Sequence, residues 1–335
     1  MEHLLIIDKS LKGREYGTLI SFQEAIRNYT NAKVLVLPKK TKFEERYFQT
    51  SRLRFLRSYK NKTNINIPEN HFDVVWYICM GPENYRFDLL YGIEKIKNRI
   101  VYFFDTLPHQ FSLIKRLNIS QVFNIQITSF DDALFPLEKL TNSKWHYIQQ
   151  SSSKEYFKEK KLSEKEIGFA SFGRGNKRLN EIIQKYCDLN NIIFERTHEI
   201  GGEIITNNKL LYESYCRALS NSIFCICFSV EVTNPNRAGD LSPITCRWYE
   251  SFLAQNIVIG KEPVNQNFKK IFPSNFVNEI NFQDTEEKII YQLDLLWSNK
   301  EKLFDELYGG IEIEKNKFDW NARIAEILII LNNTL

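Results

Sequence analysis

A glycine-containing basic segment, SFGRGNKR at residues 171–178, follows an apolar run that is typical of a buried strand. Gly173 and Gly175 let the backbone approach a ligand closely. The positive charges beside them are those of Arg174, Lys177 and Arg178. Such charges at the start of a helix, together with free N–H groups, suit a diphosphate. The alternative is a solvent-exposed turn, and Arg178 stands where a dinucleotide-binding motif would have its third glycine.

A second signal is the dipeptide Ser242-Pro243, within the stretch GDLSPITCRWYESFLAQNIVIG at residues 239–260. Serine followed by proline is a strong helix start, with serine as N-cap and proline at the first helical position. We therefore predict a helix over roughly 243–254. Its free N–H groups at 244–246, which include that of Thr245, are expected to hold a phosphate.

Glu250 lies seven residues after Pro243, and therefore two turns further along the same face of that predicted helix. A carboxylate in this place can accept hydrogen bonds from both hydroxyls of a ribose, as acidic residues do in nucleotide sites. The alternative is that Glu250 pairs with Arg247, three residues earlier, on a solvated face.

A third candidate is the segment YFFDTLPH at residues 102–109, where an apolar run ends. Asp105 is a candidate general base for an acceptor hydroxyl, and His109 is its rival because an ordinary histidine titrates nearer neutrality. The alternative for each is a loop or capping residue.

The segment RYFQTSRLRFLRSYKNK at residues 46–62 interleaves basic and aromatic or aliphatic side chains. Its positive charges are those of Arg46, Arg52, Arg54, Arg57, Lys60 and Lys62. Such a segment can lie on an anionic membrane surface or bind an acidic glycan. A partly buried surface helix explains it equally well, and no nucleic-acid-reading motif accompanies it, so we expect no nucleic-acid partner.

The composition of the chain limits the number of domains and the classes of protein to which it can belong. The 335 residues are 43% hydrophobic and 26% charged, which is enough apolar material for two ordinary domains. The net charge of +4 divides into +7 over residues 1–150 and −3 over the remainder. No apolar run is long enough to span a membrane. The six cysteines are scattered, which favours reduced thiols in a cytoplasmic protein over a disulfide framework or a metal site.

The elements that must position these residues alternate along the chain. Short apolar runs separated by stretches of helical spacing predict parallel strands covered on both faces. The runs predicted as strands are 3–8, 33–38, 72–80, 99–105, 122–128, 166–173, 191–198, 222–230 and 256–263. The polar segment 149–166 is the best boundary, and two helices, near 285–307 and 318–333, are predicted to end the chain. We therefore expect an α/β protein with two Rossmann-like doubly wound domains.

Two segments of the sequence resemble those of a known enzyme family. The phrases RWYESFLAQNIVIG and IGFASFGRGNKR look like the donor-site helix and the opening strand and basic loop of GT-B glycosyltransferases, among them the spore-maturation-type enzymes. The resemblance implies two Rossmann-like domains facing a cleft. Carried over by residue, Glu250 would bind the donor ribose, and Arg174 and Arg178 would meet the diphosphate. Many retaining members have a second glutamate eight positions earlier, but here that position is Ser242.

The resemblance implies an enzyme that moves a sugar from a nucleotide-diphosphate sugar to a glycan, lipid-linked or other acceptor hydroxyl, in surface polysaccharide or glycoconjugate synthesis. The acceptor domain would be 1–150, the donor domain 151–315, and residues 316–335 a helix crossing back to the first domain. The predicted donor-site residues are Gly173, Arg174, Arg178, Ser242, Thr245, Arg247 and Glu250. The chain has no D-x-D triplet, which fits a site without a metal or other cofactor. The rivals are a sugar-nucleotide epimerase on the same fold and a non-catalytic binding module.

Overall fold

The computed structural model describes residues 1–8, 17–37, 65–66, 72–86, 90–91, 93–173, 175–196, 208–309 and 315–334. These residues divide into two compact units. The first is drawn from Met1–Lys12, Leu19–Gln149 and Arg323–Leu335, and the second from Gly13–Thr18 and Gln150–Ala322. Arg174 and the basic segment 46–62 lie outside the described residues, so the predictions made for them stay predictions.

The first unit is built on a parallel sheet of six strands in the order β2-β1-β4-β6-β7-β8. Strands of this part of the chain are β1 His3–Asp8, β2 Lys33–Leu37, β3 Ile65–Asn66, β4 Val74–Cys79, β5 Leu90–Tyr91, β6 Asn98–Phe103, β7 Ile125–Thr128 and β8 His146–Tyr147. Its helices are α1 Gly17–Thr30, of which the residues from Leu19 onward belong to this unit, α2 Phe111–Leu117 and α3 Leu134–Thr141. Strand β4 is buried at every position, as a continuous apolar run in a parallel sheet should be.

The second unit is built on a parallel sheet of five strands in the order β10-β9-β11-β12-β13. The strands are β9 Ile167–Ser171, β10 Phe194–Arg196, β11 Ser222–Phe228, β12 Ile257–Lys261 and β13 Val277–Glu279. The helices are α4 Lys177–Asn190, α5 Asn208–Ser220, α6 Val230–Thr233, α7 Pro235–Ala238, α8 Cys246–Leu253, α9 Phe268–Ile271, α10 Glu286–Ser298 and α11 Lys300–Tyr308. A last helix, α12, covers Trp320–Thr334.

Both sheets are doubly wound, as the alternating runs predicted. In the second sheet the chain runs from β9 outward to β10 and then returns to the other side of β9 for β11 and β12. The strand order therefore reverses between β9 and β11. Ligands in such sheets bind beyond the carboxyl ends of the strands at this reversal, where the segments after Ser171 and Phe228 lie.

Aromatic packing fixes the centre of the second sheet. The rings of Phe169 on β9 and Phe224 on β11 are stacked with their centroids 4.9 Å apart, and Trp297 of α10 packs on Phe169 at 5.8 Å. Full burial of large aromatic side chains contributes about 1.5–3 kcal/mol each. This packing joins β9 and β11 at the centre of the sheet, next to the two segments that leave their carboxyl ends.

The single helix predicted over 285–307 is wrong, because two helices, α10 and α11, meet at Asn299. The Asn299 side chain donates a hydrogen bond to the carbonyl of Leu295 at 2.7 Å, and its backbone leaves the helical region. Asparagine competes with the helix for its own backbone groups in this way, and the continuous apolar periodicity of the sequence conceals the break.

The polar segment 149–166 is folded rather than a free connection. The units divide between Gln149 and Gln150, and Ser151 and Ser152 are fully buried within the second unit. Ser152 donates its N–H to the carbonyl of Phe318 at 3.2 Å and shares a hydrogen bond with the Tyr212 hydroxyl at 2.7 Å. Small hydroxyl side chains therefore serve as buried hydrogen-bond partners in this segment.

The residues of α12 from Arg323 onward belong to the first unit. Ile324, Ile327 and Leu331 on this helix are fully buried, at the helical spacing of one apolar face. Across the described ranges, no helix combines the length and the hydrophobicity needed to cross a membrane.

Candidate functional site

Glu250 is the centre of a buried hydrogen-bond cluster in the second unit. Glu250 lies on α8 and is 1% exposed. Both of its carboxylate oxygens accept hydrogen bonds. Oε1 accepts from the hydroxyls of Thr18, at 3.1 Å, and Tyr212, at 3.2 Å, and Oε2 accepts from Tyr215 at 2.6 Å. Both oxygens of this carboxylate are therefore engaged by side-chain donors.

Arg247 precedes Glu250 by one helical turn and pairs with it. Its Nε lies 3.4 Å from Oε2 of Glu250, and its guanidinium lies over the Tyr215 ring, 5.1 Å from the centroid. Another N–H group of Arg247 donates to the carbonyl of Phe172, just after β9. The side chain of Glu250 is only 2% exposed and that of Arg247 19%. The two residues do pair, but in the interior and not on a solvated face.

The pKa values of Tyr212, Tyr215 and Arg247 are all raised in this cluster, for different reasons. Desolvation raises the pKa of Tyr212 and of Tyr215 well above the ordinary value for tyrosine, so both hydroxyls remain donors at neutral pH. For Arg247, desolvation acts to lower the pKa, but Tyr215 and Glu250 outweigh it and the pKa is raised. The guanidinium therefore stays charged beside the carbonyl of Phe172.

Gly173 follows Phe172 in a conformation that favours glycine, with φ +82°. A Cβ atom at this position would lie 2.9 Å from Nη2 of Arg247. The absence of a side chain therefore allows the guanidinium to lie against the backbone after β9. The group that lies against Gly173 in the structure is the Arg247 guanidinium, and the predicted approach of a ligand to this glycine stays a prediction.

At the start of α4, a side chain of the protein already accepts a hydrogen bond from one of the free backbone N–H groups. The side chain of Asn176 caps the helix by accepting a hydrogen bond from the N–H of Leu179 at 3.0 Å. The Arg178 guanidinium donates to the carbonyls of Phe282 and Asp284, the latter at 2.7 Å. Arg178 is thus bound to the segment after β13, and its predicted contact with a diphosphate stays a prediction.

The predicted helix start at Ser242-Pro243 is wrong, because α8 begins at Cys246 with Thr245 as its N-cap. Ser242 Oγ donates to the carboxylate of Glu231 and accepts from the N–H of Val264 at 2.7 Å. These tertiary hydrogen bonds replace the local cap that Ser-Pro normally makes.

The later start changes the geometry around Glu250. Glu250 lies four residues, about one turn, into α8 rather than two turns after a proline. The N–H of Cys246, one of the groups predicted to hold a phosphate, donates to Oε1 of Gln150 at 2.6 Å. Thr245 is 8% exposed, and its carbonyl accepts from the N–H of Trp248 at 3.1 Å.

The residues predicted as general bases lie in the first unit, after β6. Asp105 is half-buried, and its N–H donates to the carbonyl of Met80 at 2.6 Å. His109 is exposed in a single helical turn, Pro108–Gln110. Both stand at the carboxyl edge of the first sheet, and their catalytic roles stay predictions.

Sequence reasoning missed several residues that the structure brings to these edges. In the second unit they are Thr18, Tyr212 and Tyr215, which reach Glu250 from at least 35 residues away in sequence. In the first unit, Asp8 at the end of β1 forms an ion pair of 3.0 Å with Arg86, and both side chains are almost fully buried. A charged residue closing an apolar strand was the one available signal for Asp8.

No protein-family model matches the sequence, and no curated protein gives a significant match. Solved structures do match. The chain is similar to UDP-GlcNAc 2-epimerase from Neisseria meningitidis bound to UDP-GlcNAc, with a TM-score of 0.54 and 10% identity over 99% of this chain and 100% of that one. It is also similar to a putative UDP-N-acetylglucosamine 2-epimerase from Listeria monocytogenes, with a TM-score of 0.50 and 8% identity over 100% and 97% of the two chains.

AviGT4, a glycosyltransferase involved in avilamycin A biosynthesis, matches with a TM-score of 0.44 and 10% identity over 97% of this chain and 98% of that one. At these identities the two structures with TM-scores of 0.54 and 0.50 show a shared fold and nothing further. The chain has a GT-B glycosyltransferase-like fold, with two Rossmann-like domains, and this confirms the fold predicted from the sequence.

Proposed function

We propose that this protein is a nucleotide-sugar glycosyltransferase, which transfers a sugar from a nucleotide-diphosphate sugar to an acceptor hydroxyl. The observation that carries the proposal is the buried pair of Arg247 and Glu250 on α8, with the guanidinium against the backbone at Phe172 and Gly173. A charged guanidinium beside a glycine at the carboxyl end of a parallel strand is suited to a diphosphate.

In this proposal the second unit binds the donor. The diphosphate lies against Gly173, with Arg247, Arg174 and Arg178 supplying positive charge that stabilises the leaving group. These residues need no metal for that role. The ribose hydroxyls replace Thr18 and Tyr212 at Oε1 of Glu250, the oxygen that accepts the two longer hydroxyl hydrogen bonds.

The first unit takes the acceptor. Asp105, or His109 in its place, accepts the proton of the attacking hydroxyl as the bond to the sugar forms and the diphosphate leaves. The basic segment 46–62 favours an acceptor with negative charge around it, such as a lipid-linked glycan at the inner face of a membrane or an acidic glycan.

The test is a thermal-shift screen of the full chain against nucleoside diphosphates and their sugars, UDP and UDP-N-acetylglucosamine first. A ligand that binds only the folded state raises the unfolding temperature. Calorimetry with the stabilising ligand then compares the wild type with Glu250→Ala, which should bind about 1–3 kcal/mol more weakly. Failure of every nucleotide to stabilise the protein favours a non-catalytic module and rejects the proposal.

A second candidate function is a sugar-nucleotide epimerase, and the two solved structures with TM-scores of 0.54 and 0.50 favour it. The two reactions differ in their need for an acceptor. The protein is incubated with UDP-N-acetylglucosamine alone and the products are separated. An epimeric nucleotide sugar identifies the epimerase, whereas release of UDP that requires an added acceptor identifies the transferase.

A further inference from the structure

A second carboxylate, that of Glu231, lies at the carboxyl edge of the second sheet, where the segments after β9 and β11 leave it. Glu231 is on α6, directly after β11, the strand at which the sheet order reverses. One of its oxygens, Oε1, accepts a hydrogen bond from Ser242 Oγ. The serine therefore fixes the direction in which this carboxylate lies.

Ser242 also joins two segments at the carboxyl ends of neighbouring strands. Its Oγ accepts from the N–H of Val264, at 2.7 Å, and its carbonyl accepts from the Asn265 side chain at 3.3 Å. Both partners lie in the segment after β12. Val264 is 84% exposed and Glu231 is half-buried, so this cluster lies near the protein surface.

The other carboxylate oxygen of Glu231, Oε2, is buried and has no hydrogen-bond partner among the described residues. The hydroxyl of Ser229, two residues earlier, is likewise buried and unpartnered in that part of the chain. Buried polar atoms are nearly always paired, and leaving one unpaired is unfavourable. Two such atoms at a ligand-binding edge indicate that a molecule bound there supplies the donors.

A ligand at Glu250 must displace protein donors, whereas a ligand at Oε2 of Glu231 displaces none among the described residues. Glu250 accepts from Thr18, Tyr212 and Tyr215 and also pairs with Arg247. Glu231 holds one oxygen in place and keeps the other for a donor from outside. A carboxylate repels a diphosphate, so its ligand must present a hydroxyl or an amide N–H.

We infer that Glu231 binds the sugar of the nucleotide-sugar donor, accepting a hydrogen bond from a sugar hydroxyl or amide at Oε2. This inference rests on the proposed function, in which Glu250 serves the ribose and the diphosphate carries no donor, so the transferred sugar is the part of the ligand richest in remaining hydroxyl and amide donors. Glu231 then determines which sugar binds, and Ser242 is the positioning residue that orients the Glu231 carboxylate.

The test uses Glu231→Gln in the full chain. Glutamine keeps an acceptor for Ser242 and replaces Oε2 by an NH2 group, which cannot accept. Calorimetry measures the affinity for UDP and for UDP-N-acetylglucosamine, or for the matching pair whose base stabilises the wild type in the screen above. We expect unchanged affinity for the nucleoside diphosphate and a loss of about 10- to 100-fold for the nucleotide sugar.

The matched control is Glu262→Gln, which changes a carboxylate directly after β12 that pairs with Lys269 at 3.4 Å. Both affinities should stay at the wild-type value. Ser242→Ala provides a second variant that leaves Glu231 in place but releases it. Its affinity for the nucleotide sugar should fall about 3- to 10-fold, while its affinity for the nucleoside diphosphate stays unchanged. This variant decides the question if Glu231→Gln does not fold.

The outcomes separate this inference from the function on which it rests. Wild-type affinity of Glu231→Gln and Ser242→Ala for the nucleotide sugar overturns the inference alone. An equal loss for the diphosphate and its sugar also overturns it, because Glu231 then binds the nucleoside. A wild type that binds no nucleotide of either kind overturns the proposed function and this inference together.

Discussion

The hydroxyl of Tyr215 donates a hydrogen bond of 2.6 Å to Oε2 of Glu250, although the two residues are 35 positions apart in sequence. Tyr215 lies on α5 and Glu250 on α8, and both are buried. The same tyrosine ring lies under the guanidinium of Arg247. One aromatic side chain therefore contacts both members of the ion pair and fixes the position of each.

The first prediction concerns the stability that this contact provides. In Tyr215→Phe, Oε2 of Glu250 loses its shortest donor and retains Arg247 at 3.4 Å. We expect the free energy of unfolding to fall by about 1–3 kcal/mol, because a buried carboxylate is left less well paired. Urea denaturation followed by circular dichroism measures it. Tyr291→Phe, at a residue that is 62% exposed, is the control and should leave stability unchanged; equal stabilities for both variants would contradict the prediction.

The second prediction concerns the glycine beside the guanidinium. Gly173→Ala places an alanine at φ +82° and a methyl group 2.9 Å from Nη2 of Arg247. The backbone conformation alone costs about 1–3 kcal/mol for a residue other than glycine. We also expect weaker binding of nucleoside diphosphate, because the methyl group displaces the guanidinium.

A double-mutant cycle with Arg247→Ala separates these two effects of Gly173→Ala. In the Arg247→Ala background the steric contact is gone and the conformational cost remains. Gly173→Ala should therefore weaken nucleotide binding only when Arg247 is present. Equal weakening in both backgrounds would show that the methyl group acts on the ligand directly.

The third prediction concerns pH. Lys165 is buried, and its Nζ donates to the carbonyls of Ser220 and Ser222, each at 3.0 Å, and of Ala254 at 2.8 Å. Burial lowers the pKa of Lys165 to about 7, and the nearby positive charge of Lys160 adds to the effect. In the unfolded chain a lysine keeps a pKa of about 10.4.

Between these two pKa values the unfolded chain binds more protons at Lys165 than the folded chain does. The contribution of Lys165 to the free energy of unfolding therefore rises from about pH 7 to about pH 10 and is lost on acidification. The difference in stability between the wild type and Lys165→Met should follow that rise in urea titrations from pH 6 to pH 10. Lys177→Met, whose lysine side chain is 91% exposed, should show a difference that does not vary with pH.

The fourth prediction concerns the basic segment 46–62, and it follows from the sequence. Basic residues near an anionic membrane contribute about 1 kcal/mol each, and salt screens the attraction. The wild type should co-sediment with anionic but not neutral vesicles, less so as salt is raised. Changing Arg52, Arg54 and Arg57 together to glutamate should abolish the co-sedimentation.

The control for this experiment makes the same change in net charge elsewhere, at the exposed lysines Lys269, Lys270 and Lys302. This variant should sediment as the wild type does. Membrane docking through the segment is rejected if both triple variants lose binding equally, or if salt has no effect on the wild type.

The sequence determined the fold by itself because its signal is local. An apolar run such as that of β4 is continuous because the strand is buried on both faces, and the helical stretch after each run covers one of them. Periodicity of this kind survives in a single chain and predicts two doubly wound sheets. The same locality explains the error at Asn299, since a break of one residue leaves the apolar spacing on both sides intact.

The tertiary structure alone decided which polar groups meet. Ser242 next to Pro243 carries every local mark of a helix start, but its hydroxyl is committed to Glu231 and Val264, and α8 begins later. Tyr212 and Tyr215 have no spacing that relates them to Glu250, because the strand β11 and two short helices separate them along the chain. A hydrogen bond depends on distance in space, and sequence spacing reports that distance only within one helix or strand. The hydrogen-bond cluster around Glu250 and the oxygen Oε2 of Glu231, unpaired among the described residues, are therefore properties of the folded chain.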